Sequence, residues 1–281
     1  MNNEKREKIL FLMQVPPPVT GASLRNMEIF NMRELREQYA IKLIPFIFAK
    51  NVSDLSVFSI LKIVKGLKIS FLIVINMIFF RPDFVYMTPV PKGFAYLRDV
   101  INIFLVKLFR KKTVFHLRSL GFGEKSKNSL FFRILNRMIF ENVYVIALSG
   151  TTAKDIERIY KGKIFIVNDG IKDENPVADF NNRKAGIVKI VFFSNLFLAK
   201  GIVNFLEILS ILKNVVRFSG EIYGQEGDLS EKELMKFVDK LGLSDFVSYK
   251  GEVPDRKSGD PGKDGEKGER KVFKLVYYRE I

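Results

Sequence analysis

The sequence predicts an α/β protein of two doubly wound parallel-sheet domains, the second of them incomplete. Three observations carry this. Short apolar runs rich in Val, Ile and Phe alternate with stretches of helical period from residue 8 to about 253. The runs are continuous rather than alternating, as strands buried on both faces are. Glycines and polar corners stand where strands hand over to helices, as in sheets that bind phosphate groups at their carboxyl edge.

In order, residues 9–14 read as a strand, 22–39 as helix, 41–46 as a strand and 55–80 as a long helical region. A strand at 83–87 follows Arg81-Pro82, then a helix at 96–109, a strand at 113–117, a helix at 130–139 and a strand at 143–148. A helix at 152–160, capped by Ser149, Thr151 or Thr152, precedes a last strand at 163–167. Residues 171–186 contain Pro176, Asn181, Asn182 and Gly186, lack periodicity, and read as a linker between a first domain (1–170) and a second (187–253). The second domain opens with a strand at 190–193 and a Ser194-Asn195 corner. Lys200-Gly201 then opens an amphipathic helix carrying Val203, Phe205, Leu206, Ile208, Leu209 and Leu212. A strand at 215–223 ends in Gly224-Gln225-Glu226-Gly227, a charged helix covers 231–241, and the pattern closes at Gly251, leaving about three strands for this sheet.

From Pro254 the character changes. Residues 255–271 are almost all charged or glycine, with Gly259, Gly262, Gly265 and Gly268 at every third place. So few Gly-X-Y triplets do not make a triple helix, and residues 254–281 read as a solvated tail.

With 281 residues, 47% of them hydrophobic, the chain can bury a large core. No Cys and a single His exclude disulfides, thiolate chemistry and a multi-histidine metal site within one chain. A net charge of +15 calls for an anionic partner: nucleic acid, an anionic membrane leaflet, or phosphorylated small molecules. Because the basic residues are scattered rather than clustered with aromatics, membrane and phosphate partners are favoured over nucleic acid. The most apolar run, 71–80, is about half a bilayer span and follows Lys62, Lys65 and Lys68. It reads as a buried or interdomain helix, or as one resting on a membrane surface with its lysines toward headgroups.

Four motifs could carry chemistry. In the loop from Gln14 to Ser23, prolines stiffen the corner and Thr20-Gly21 opens a helix N-terminus where a ligand's phosphates could approach. It is no dinucleotide fingerprint. His116 and Arg118 stand at the carboxyl end of a strand; the imidazole is either a core side chain or a sugar-facing one, and Arg118 is a rival phosphate group. Val167-Asn168-Asp169-Gly170-Ile171 reads as a turn with Gly170 at positive φ. Ser194-Asn195 and Lys200-Gly201 flank a helix N-terminus, where Lys200 either caps into solvent or faces a phosphate.

The strand, Lys200-Gly201 corner, helix and glycine-ended strand of residues 189–253 resemble the nucleotide-sugar glycosyltransferases of the two-Rossmann-domain (GT-B) architecture, family 4. The resemblance implies a metal-independent, retaining enzyme that needs no cofactor. It would move a sugar from a nucleotide-diphosphate donor to a surface polysaccharide or lipid-linked oligosaccharide. It implies donor contacts at Lys200, Asn195, Gly201, Gly224 and Arg118, with His116 as the catalytic-site residue and Thr20 and Gly21 in the acceptor or cleft loop. Asn195 stands near where the family often has arginine. The Glu-x7-Glu segment of the family has no counterpart after Gly251, which implies a gene truncated or frame-shifted near Val253 and an impaired donor site. The expected location is cytoplasmic, peripheral on the inner face of the membrane. A non-catalytic binding module and a basic nucleic-acid-binding protein are the alternatives.

Overall fold

The computed structural model describes residues 6–50, 54, 59–170 and 187–252; the expected linker and tail lie outside them. The chain divides into two compact units, Met1–Ile171 and Lys172–Ile281.

The first unit is a six-stranded, wholly parallel sheet. Its strands are β1 (Lys8–Met13), β2 (Ala40–Pro45), β3 (Phe84–Met87), β4 (Lys112–Leu117), β5 (Val143–Ala147) and β6 (Ile164–Ile166), in spatial order β2-β1-β3-β4-β5-β6. The order reverses between β1 and β3, so a crevice opens beyond their carboxyl ends, where such sheets take ligands. The helices are α1 (Gly21–Phe30), α2 (Arg33–Gln38), α3 (Ile60–Phe79), α4 (Gly93–Leu108), α5 (Phe122–Asn128), α6 (Leu130–Phe140) and α7 (Gly150–Ile156).

Alternate side chains of each strand serve opposite layers. Leu10, Leu12, Val85, Phe115 and Leu117 pack with α3, α4 and α6 through Ile73, Met77, Ile103 and Phe140. On the other face Phe11, Met13 and Tyr86 pack with Met27 and Phe30 of α1. A buried polar relay ties α4, α5 and α6: Tyr96 donates to Asn136 Oδ1 at 2.8 Å, and Asn136 Nδ2 donates to Ser126 Oγ at 2.8 Å. It leaves none of those three groups unpaired in a dry interior.

Local differences from the sequence reading have local causes. The expected 22–39 helix breaks at Asn31 and Met32, where Asn31 caps α1 with its N–H on Met27 and Glu28 carbonyls. The α5 turn has no counterpart in the sequence reading; Asp155 holds its start, accepting from the N–H groups of Gly121 and Phe122 at 3.0 Å each. Ser149 is the cap of α7, accepting from Thr152 N at 3.2 Å. Gly170 does not take the positive φ expected of it, and Ile171, the last residue of the expected turn, lies outside the described residues.

The second unit has three parallel strands, β7 (Val188–Phe193), β8 (Phe218–Tyr223) and β9 (Val247–Gly251), in that order, with α8 (Ile202–Leu212) and α9 (Glu231–Lys240). Residues 215–217, expected in β8, instead include the exit of α8, with the N–H groups of Val215 and Val216 on the Leu212 carbonyl. Ser230 and Glu233 form a reciprocal capping box that starts α9. Ile202, Leu206, Leu209, Ile222, Leu234 and Val238 form the buried centre of this core.

Candidate functional site

Both loops expected to face ligand in the first unit leave the carboxyl edge of the same parallel sheet, after β1 and β4. Thr20 caps α1: its Oγ1 accepts from Ser23 N at 3.1 Å, and its own N–H donates to Ser23 Oγ at 2.9 Å. Ser23 Oγ also donates to the Pro18 carbonyl at 2.9 Å, which pins the proline corner to the helix. Gly21, the first residue of α1, is exposed, and a Cβ built there would meet nothing within 4 Å. The fold itself does not require a glycine there; open space at a helix N-terminus is what an approaching anion needs.

His116 is the fifth of the six residues of β4 and only 4% exposed. Its Nδ1 lies 2.5 Å from the Tyr86 hydroxyl, while its Nε2 is buried with no protein partner. Burial, reinforced by the nearby Arg118 charge, pushes the imidazole down to about 4, so it is neutral at pH 7. Burial likewise raises Tyr86, which stays a phenol. A neutral imidazole there can donate or accept one hydrogen bond through Nε2, and it is no resident acid.

Arg118, expected to grip phosphate, is already engaged. Both terminal nitrogens pair with the Asp169 carboxylate, at 2.7 and 2.8 Å. The pair spans from the end of β4 to the segment after β6, passing over β5. The Arg118 side chain is 9% exposed and Asp169 34%. Tyr86 and Asp169 complete this cluster, and the sequence singles out neither for it. Tyr86 carries only the signal of a buried strand, and Asp169 that of a turn.

In the second unit, Lys200 ends a short 3-10 turn, Leu198–Lys200, and is exposed. Gly201 follows at φ +78, in the left-handed region that favours glycine, and α8 begins without a side-chain cap. The first N–H groups of α8 are thus available beside an ammonium, an arrangement suited to an anion. Asn195 is occupied structurally, since its Oδ1 accepts from Gln225 N at 3.1 Å and ties the ends of β7 and β8. Gly224 is equally committed. At φ +151, its missing Cβ would lie 2.1 Å from the Ser194 carbonyl oxygen. Gly227 is closed in the same way by the Leu196 carbonyl at 2.7 Å. Close strand-end packing, rather than ligand approach, accounts for both glycines. Among the described residues no three His, Cys, Asp or Glu side chains gather as a metal site.

No protein-family model matches the sequence, and no curated protein does. Solved structures do. A glycosyltransferase from Rickettsia africae ESF-5 is similar over 89% of this chain and 69% of its own, at 15% identity and a TM-score of 0.54. The fold is that of known glycosyltransferases. The apo form of the lipopolysaccharide outer core galactosyltransferase WaaB matches over 88% of this chain and 68% of its own, at 12% identity and a TM-score of 0.51. At such identities the likeness is one of fold, and residue roles rest on the geometry above.

Proposed function

We propose that this chain is a retaining glycosyltransferase of the family 4 kind. It moves a sugar from a nucleotide-diphosphate donor to a surface polysaccharide or lipid-linked oligosaccharide. The observation that carries the reading is Lys200 beside the uncapped N-terminus of α8, in a fold shared with solved glycosyltransferases. In the transfer, the bond between the anomeric carbon and the diphosphate oxygen breaks, and that oxygen keeps the electron pair. The acceptor hydroxyl oxygen forms the new bond, and its proton passes to the departing diphosphate. Negative charge grows on the diphosphate, so a nearby ammonium and helix N–H groups stabilise the transition state more than the ground state. The step needs no metal and no cofactor beyond the sugar nucleotide.

The other residues take graded roles. Thr20 and Gly21 offer backbone at the mouth of the β1–β3 crevice. His116 Nε2 meets a sugar hydroxyl, which would satisfy an otherwise orphaned buried atom. Arg118, held by Asp169, acts as a fixed positive charge beside that imidazole rather than as a free phosphate fork.

Calorimetric titration with UDP, GDP and TDP tests the reading. At least one should bind, and Lys200→Ala should weaken it roughly ten- to hundred-fold, the loss of a charge-assisted contact worth about 1.5–3 kcal/mol. Lys236→Ala, on the exposed face of α9, should leave binding unchanged. Equal affinity in the wild-type and Lys200→Ala proteins would place the phosphates elsewhere.

A further inference from the structure

Three helices on one face of the first sheet turn an unusual amount of apolar surface outward. None of residues 60–68 of α3 is buried; the first buried residue of the helix is Ile69. In that stretch Ile60, Leu61 and Leu67 are 74%, 61% and 67% exposed. Neighbouring α4 exposes Leu97 and Ile101, and α6 exposes Leu130, Phe131 and Ile134; the exposure continues to the far ends, with Phe71, Ile78 and Phe79 of α3, Leu108 of α4 and Met138 of α6. α3 and α4 each follow a strand and α6 follows α5 after β4; all three return toward the amino end of the next strand, so their amino-terminal turns lie toward one edge of the first sheet. Ser70 of α3 bonds to Asn102 of α4 at 2.8 Å, about ten residues into each helix, which sets their starts at similar height. That edge is the carboxyl one, where the Thr20-Gly21 loop and His116 lie.

The charge on this surface is mainly positive, with Glu124 of α5 an exposed acid beside Ser129 and Phe132 at the start of α6. Lys65, Lys68, Arg133 and Arg137 stand among the apolar residues, and α3 and α6 contain no Asp or Glu. The one acid of α4, Asp99, is buried against Arg98 at 2.7 Å. An apolar surface with interspersed cations matches a leaflet whose interior is apolar and whose headgroups are anionic. A second copy of the same face would set like charges against one another. No helix among the described residues is long and apolar enough to cross a membrane, so this surface would lie on a bilayer.

We infer that the outward faces of α3, α4 and α6 form a docking surface for an anionic lipid leaflet. The inference goes beyond the sequence expectation, which places one helix along the membrane. It does not depend on sugar transfer, since vesicle binding is measured without donor.

The chain has no Trp, so Leu67→Trp places a single indole on the surface as a reporter. Its emission should shift to the blue, and be quenched by brominated acyl chains, with vesicles mixing phosphatidylglycerol and phosphatidylcholine. Pure phosphatidylcholine should give neither. In flotation of the otherwise unaltered chain, Leu61→Asn with Leu67→Asn should cut partitioning at least tenfold, by loss of inserted apolar area. Lys65→Glu with Lys68→Glu should cut it at least fivefold at low salt and less at high salt. Ile211→Asn, an exposed apolar site of the second unit, should change nothing. Circular dichroism confirms that each variant is folded. Equal flotation of wild type and both double variants overturns the inference, as does absence of binding to anionic vesicles. A dimer that Leu61→Asn with Leu67→Asn dissociates, with no vesicle binding, would also overturn it and assign the face to a second copy.

Discussion

His116 is the only histidine in the chain, so one imidazole dominates how the pH of the solution acts on stability between about 5 and 7. Folding buries it and lowers it to about 4 from an unfolded value of about 6.5. Above pH 6.5 neither state binds the proton to any extent, and the contribution of the buried neutral ring is fully present. As pH falls from 6.5 toward 4 the unfolded chain takes up the proton first, and stability is lost over that window. Between pH 7 and pH 5 the linkage amounts to about 2 kcal/mol, since a full pKa unit corresponds to about 1.4 kcal/mol. For a unit of this size that is a fall in Tm of roughly 4–8 °C. The assay is urea unfolding of wild type and His116→Asn at pH 7 and pH 5, followed by a probe of the first unit. Asn can retain a polar atom near the Tyr86 hydroxyl but does not titrate. Asp99, whose carboxyl is raised by burial, is present in both proteins and cancels in the difference. The wild-type protein should lose about 2 kcal/mol more than the variant on going to pH 5. Equal losses would show that the ring is solvated or already charged in the folded state, and the geometry drawn around it would be wrong.

Three further perturbations separate structural from ligand-facing roles. Asp169→Asn leaves a nearly buried guanidinium short of its counter-charge; a loss of about 1.5–3 kcal/mol is expected, toward the low end because Asp169 is partly solvated. Unchanged urea unfolding would mean the ion pair is not populated. Gly224→Ala should destabilise the second unit by about 3 kcal/mol or more through the Ser194 contact and the strained φ, and a neutral result would show that the strand ends are not so close. Gly21→Ala should hold or raise stability by about 0.5–1 kcal/mol, by restricting the unfolded chain. If the backbone there meets ligand, the same variant should raise the KM for acceptor; a large fall in Tm would instead show that the fold needs this glycine.

Much of the succession of strands and helices is legible in the sequence because it depends on local pattern. The run Ile9–Met13 is apolar without interruption, as a strand covered on both faces is, whereas in Val143–Ala147 Tyr144 faces solvent. The handover of strand to helix at Lys200-Gly201 is visible because a left-handed residue there favours glycine. The roles of Arg118 and Tyr86 are not visible. Arg118 meets Asp169 across 51 residues of sequence and Tyr86 meets His116 across 30, and no spacing rule announces such contacts. For the same reason Gly224 reads as room for a nucleotide, when its Cβ space is occupied by the carbonyl of a residue 30 places earlier. The outward face of α3 is half legible. Its lysines and apolar run suggest a membrane surface, but only the packing shows which of its apolar residues are exposed and that the exposure continues onto α4 and α6.

The central claim is sugar transfer from a nucleotide diphosphate. Its most direct test is to incubate the purified chain with UDP-, GDP- and TDP-sugars, a lipid-linked or polysaccharide acceptor and anionic vesicles, and to measure nucleoside diphosphate release together with glycosylated product. Release from one donor class is expected, accompanied by product and falling at least tenfold in Lys200→Ala. Binding of a nucleotide sugar with neither transfer nor hydrolysis under any of these conditions would contradict it, and would leave a binding module on a glycosyltransferase fold.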